Sequence, residues 1–73
     1  MKTKRIITKD KEIYDKMNLL NHSSEVTIRD KKNLPKMLNS MNKLEKVVDV
    51  IKIGKYVTIK KINPIKFDVF LRK

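Results

Sequence analysis

The stretch VVDVIKIGKYVTIKK, Val47 to Lys61, holds the only glycine of the chain between two β-branched runs. A two-residue hairpin turn asks for positive φ at its first central position, and glycine adopts that without a Cβ clash. Gly54-Lys55 is therefore predicted as the turn, which fixes one register. Asp49 then faces Lys60 as a charge pair, and Val50 faces Ile59 as an apolar pair. Four lysines, Lys52, Lys55, Lys60 and Lys61, are spread along this hairpin. It is either an internal part of a sheet or a cationic finger that holds something outside the protein.

The remaining elements follow from periodicity. KRIIT, Lys4 to Thr8, is short and β-branched and reads as a first strand. In KDKEIYDKMNLLN, Ile13, Met17 and Leu20 recur at helical spacing, and Asp10 and Glu12 stand where a first helical turn favours negative charge. Asn21 to Ser24 make a polar turn. EVTIR alternates, with Val26 and Ile28 on one face. In DKKNLPKMLNSMNKLEK, Leu34, Met37 or Leu38, Met41 and Leu44 recur every three or four residues and predict a second amphipathic helix. Asn33 stands at its N-cap and Pro35 in its first turn, where a missing N–H costs nothing. INP marks a second turn, and IKFDVFL puts Ile65, Phe67, Val69 and Leu71 on one face. The order is β-α-β-α-β-β, with a further strand or one long final hairpin. That predicts an α+β two-layer sandwich with both helices on one face of a mixed sheet.

Seventy-three residues make a single domain, 1–73, at a size where one core is barely sufficient. Nine Ile, six Val, six Leu and four Met supply that core, and cysteine is absent. Without cysteine there is no disulfide framework and no thiolate metal site, and a cytoplasmic location is expected. No run resembles a signal peptide or approaches the ~20 apolar residues of a membrane span.

The net charge of +11 is the main functional signal. Self-repulsion on so small a surface opposes folding, and an anionic partner relieves it. Solubility alone, or a lysine-rich genome, is the plainer account of the same number. The surplus lies at the N-terminus and in the second half, while residues 9–30 carry slightly more acid than base. Nucleic acid is preferred to a membrane because neither predicted helix sets a basic face opposite a wide apolar one.

Catalytic chemistry finds little to work with. The sole histidine, His22, lies in NHSSE beside two serines, but neighbours in a turn rarely reach each other as a nucleophile and base with an orienting third group. One histidine and scattered carboxylates give no metal-ligand spacing, and one glycine makes no phosphate-cradling loop. No enzyme activity, cofactor, metal or small-molecule substrate is expected. Asp49 and Asp68 alternate with lysines on predicted strands and read as cross-strand ion pairs.

The lysine clusters remain. Lys31 and Lys32 precede the second helix and Lys36 lies in its first turn, so a phosphate there would meet both side chains and helix N–H groups. At the hairpin tip, Lys52 and Lys55 flank Tyr56, which could stack on a base or cover its own sheet. Sixteen lysines against three arginines favour contact with phosphates over bidentate reading of bases. The expected partner is DNA or RNA, bound with little sequence selectivity and strong salt dependence.

MNLLNHSSEVTIR, VIKIGKY and KFDVFLRK resemble, in turn, the first helix with its second strand, the third strand entering the hairpin arm, and the terminal strand of the Alba family of small archaeal chromatin and RNA-binding proteins. The resemblance implies a nucleic-acid-binding homodimer. By position it implies contacts from Lys9 and Lys11 in TKDK, from Lys31 and Lys32, and from Lys52, Lys55 and Tyr56. This chain departs from the family in lacking its glycine-containing turn after the first strand and its glycine-arginine loop after the second. Its second helix and its arm are also shorter.

LPKMLNSMNKLEKVVDVIKIGKYVTIKK also resembles the recognition helix and wing of winged-helix regulators. In that alternative Lys36, Asn39, Ser40 and Lys43 would face the major groove. Only RDKKN separates the Val26–Ile28 strand from Leu34, which is short for the middle helix of a helix-turn-helix. A third alternative is a basic module, of viral or mobile-element origin, that docks on an acidic protein.

Overall fold

The computed structural model describes residues 2–62 and 64–73. They form β1 (Lys2–Thr8), α1 (Lys11–Leu20), β2 (Glu25–Arg29), α2 (Leu34–Met41), β3 (Val48–Ile53), β4 (Tyr56–Lys61) and β5 (Ile65–Leu71). The fold is α+β, with every expected element present and β5 a separate strand. Asn63, in the expected INP turn, lies outside the described residues.

The strands form two sheets where the pattern suggested one mixed sheet. β1 pairs in parallel with β5, Lys2 beside Ile65 through Thr8 beside Leu71. β2, β4 and β3 form an antiparallel sheet in that order. The reason for the division is α1, whose buried stripe of Ile13, Met17 and Leu20 packs against both β5 and β2. One helix thus closes both sheets onto a single core, and no continuous ladder is needed. Phe67, Met17, Leu20, Leu34, Ile59 and Val48 are its most deeply buried members. Each such side chain contributes about 2 kcal/mol relative to exposure.

The Gly54-Lys55 turn has the expected register, with Asp49 opposite Lys60 and Val50 opposite Ile59. Gly54 takes φ of 60° and no other described residue has positive φ, as a turn with glycine in its first central place requires. The hairpin is no free finger. β2 lies along the other edge of β4 as far as Arg29 beside Tyr56, and the Asp30 N–H donates to the Lys55 carbonyl at 2.8 Å. The hairpin tip therefore ends level with the end of β2.

Each helix ends on an asparagine that ties it to a strand. The Asn21 amide donates to the Phe67 carbonyl at 2.9 Å and accepts from the Phe67 N–H at 2.7 Å. A side chain thereby imitates a neighbouring strand along β5. Asn42 accepts from the N–H groups of Val47 and Val48 at 2.8 and 3.2 Å and donates to the Val48 carbonyl. This cap ends α2 at Met41, so Leu44 does not continue its apolar stripe and is 89% exposed. Leu34, Leu38 and Met41 are the residues that α2 buries. No helix among the described residues is long and apolar enough to cross a membrane.

Candidate nucleic-acid interface

A groove of about 600 Å³ runs between β1 and α2. Its floor is apolar, with Ile6, Ile13, Met37 and Met41, and its walls carry Lys4, Lys9 and Lys36, while Arg5, also at its edge, turns its guanidinium to the Phe70 ring. The strand supplies one wall because β1 pairs only with β5, leaving its other edge toward α2. The helix supplies the opposite wall because its stripe turns Leu34, Leu38 and Met41 inward and leaves Lys36 exposed. A second hollow adjoins the first through Thr8, Lys9, Ile13 and Asn33, and adds Asp10, Lys31 and Lys32. Of the residues singled out in the sequence, Lys9, Lys31, Lys32 and Lys36 thus border one continuous depression.

Their electrical states differ. Lys31 places its ammonium 2.8 Å from an Asp10 carboxylate oxygen and 2.9 Å from one of Glu12. Asp10 is also the N-cap of α1, accepting from the N–H groups of Glu12 and Ile13 at 2.9 and 3.3 Å. The Lys31 hydrogen bond, with those two N–H groups, holds the Asp10 carboxyl below the usual aspartate range although burial opposes it. The hydrogen bonds that Lys31 donates to Asp10 and Glu12 raise its own pKa in return. Lys31 is therefore a strap between the loop after β2 and the start of α1. Among the described residues, no carboxylate lies within ion-pair distance of Lys4, Arg5, Lys9, Lys32 or Lys36.

The other sequence candidates lie elsewhere. Lys11 is on the exposed side of α1, 2.8 Å from Asp15 and with its ammonium 5.1 Å from the centre of the Tyr14 ring. The Asp15 hydrogen bond raises its pKa. Lys52 reaches Asp30 at 2.8 Å. Lys55 and Tyr56 are exposed at the hairpin turn.

The start of α2 is less open than its sequence suggests. The Leu34 N–H donates to the Lys31 carbonyl at 3.2 Å, Pro35 has no N–H, and the Asn33 side chain makes no capping bond.

Lys4 and Arg5 are the groove residues that motif reading did not single out. One signal was present: Lys4 alternates in phase with the buried Ile6, an odd place for a lysine unless the strand borders a cleft. His22 is exposed in the turn after α1, its N–H donating to the Leu19 carbonyl. Among the described residues no group of three or more His, Cys, Asp or Glu could hold a metal ion. No protein family, curated protein or solved structure matches this chain.

Proposed function

We propose that this protein binds nucleic acid through the phosphate backbone, without catalysis and with little selectivity for sequence. The observation that carries the reading is the row of cations along the β1–α2 groove, Lys4, Lys9 and Lys36, with Lys32 beside them. Carboxylates were available nearby and went to Lys31, Lys11 and Lys52 instead. Like charges gathered without counter-charges repel, and a chain of phosphates at regular spacing removes that cost. Lysine dominates the row, which suits point-charge contact with phosphate better than bidentate base reading. The Alba-like pattern of the sequence agrees in function class, although the groove draws on Lys4 and Lys36 rather than on the arm.

Fluorescence anisotropy with a labelled single strand of DNA, one of RNA and a duplex, each at 50 and 200 mM salt, tests the reading. Engagement of about four phosphates would weaken affinity roughly fifty-fold for the single strands and about 150-fold for the duplex over that fourfold rise in salt. Absence of binding to all three at the lower salt would remove the reading. It would leave an acidic protein as the partner to seek.

A further inference from the structure

Each sheet buries one face and leaves the other open. On the β1–β5 pair, alternation puts Ile6, Ile65 and Phe67 inward and Arg5, Ile7, Asp68 and Phe70 outward. On the three-stranded sheet, Arg29, Tyr56 and Ile53 share one level of the open face. The chain has two Phe and two Tyr. Phe67 is in the core, whereas Phe70 is 45% exposed and Tyr56 57% exposed, one on each open face.

The three arginines go with those two aromatics. The Arg5 guanidinium stands 5.6 Å from the centre of the Phe70 ring. Arg29 is the cross-strand partner of Tyr56. Arg72 follows Phe70 by two residues, just beyond β5. In a chain with sixteen lysines, composition alone would put lysine at such places. Arg5 also has a carboxylate at hand, since Asp68 is its register partner on β5. Among the described residues the two form no ion pair, and the guanidinium lies over the ring instead.

A planar cation on a half-exposed ring is a surface on which another flat π-system can stack, and a lysine ammonium offers nothing comparable. Bases inside a duplex already stack on each other, so such a platform is open only to unpaired bases.

We infer that the open face of the β1–β5 pair, with Phe70 and Arg5 as its stacking pair, takes an unpaired base, which makes single-stranded nucleic acid the ligand. This rests on the phosphate-binding reading above and deepens it. β1 joins the two surfaces: residues Lys4 to Thr8 line the groove, while Arg5 and Ile7 project from the open face. Backbone in the groove and base on the sheet therefore meet along one strand. Charge favours this occupant, because Lys66 and Arg72 are exposed at the same end of the chain as Phe70 and outweigh Asp68. A second copy would bring those same cations together.

The test uses the intact chain and two variants, Phe70→Leu and Arg5→Lys, the second keeping the charge and losing the plane. Anisotropy is read with a labelled twelve-nucleotide pyrimidine strand and with a duplex of equal length, at one low salt concentration. Urea unfolding accompanies each variant. The wild type should prefer the single strand. Each variant should lose about fivefold or more of that affinity and keep duplex affinity within about twofold. If Phe70→Leu does not fold, Arg5→Lys decides the matter. Binding of both nucleic acids with no loss in the variants, or with equal losses for strand and duplex, overturns the inference and leaves phosphate binding standing. Failure of the wild type to bind either one removes both.

Discussion

The two sides of Lys9 put the same residue type to opposite uses. Toward α1, the Lys31 ammonium is held between Asp10 and Glu12. Toward α2, Lys4 and Lys36 line a groove where, among the described residues, no carboxylate reaches them. The matched cation belongs to the architecture, because it joins the loop after β2 to the cap of α1. The unmatched cations oppose folding until an anion arrives. A count of lysines cannot separate these two groups, whereas the position of the acids does.

The largest effect is expected in the groove. Lys9→Glu with Lys36→Glu should weaken binding to a single strand by about thirtyfold at low salt and make the salt slope shallower by about two units or more. Stability should hold or improve, since repulsion is relieved. Lys31→Ala in the same assay should leave affinity within about twofold. A loss from Lys31→Ala as large as that from the groove pair would erase the distinction between matched and unmatched cations.

Stability should show the reverse pattern. Asp10→Ala removes an N-cap and the anchor of Lys31 together, and should cost roughly 1 kcal/mol in urea unfolding while binding is retained. Asp10→Asn keeps a capping oxygen and should cost less.

The Asp10 strap also gives an acid dependence. Its pKa is lower in the folded chain than in the unfolded one, so its contribution is complete above the ordinary aspartate value. It is then lost as pH falls below about 4 and through the depressed value. The stability difference between wild type and Asp10→Asn should therefore shrink as the pH is lowered from the ordinary aspartate value through the depressed one. A difference constant over that range would show that the carboxylate charge does nothing there.

The smallest effect belongs to Lys11. Its partner Asp15 is one helical turn away and both are exposed, so Lys11→Ala should leave the urea midpoint essentially unchanged. Binding should change little, and a clear loss would extend the interface around α1.

Local order was readable from the sequence wherever one residue constrained its neighbours. Gly54 and the alternation around it were enough to set Asp49 opposite Lys60. Ile13, Met17 and Leu20 likewise announced the buried stripe of α1. Reading failed where the deciding partner is remote or belongs to a cap. Leu44 kept the helical period, yet the Asn42 amide turns to Val47 and Val48 and ends α2 before it. The division into two sheets depends on Lys2 meeting Ile65, which no local pattern encodes.

The same holds for the site. Lys31 and Lys36 are close in sequence and look alike, but only Lys31 is met by Asp10, twenty-one residues away. Lys4 and Arg5 became groove residues only when α2 was laid beside β1.

The parallel pairing of β1 with β5 bears on how the chain is made. While a ribosome is still adding residues, β1 has no strand to pair with until Ile65–Leu71 has emerged from the exit tunnel. Ile6 and the part of α1 that packs on β5 stay uncovered for that interval, and the antiparallel β2–β4–β3 sheet can close before they do. Slower translation of the β5 codons should therefore lengthen the time in which a nascent chain is open to proteases and to chaperones.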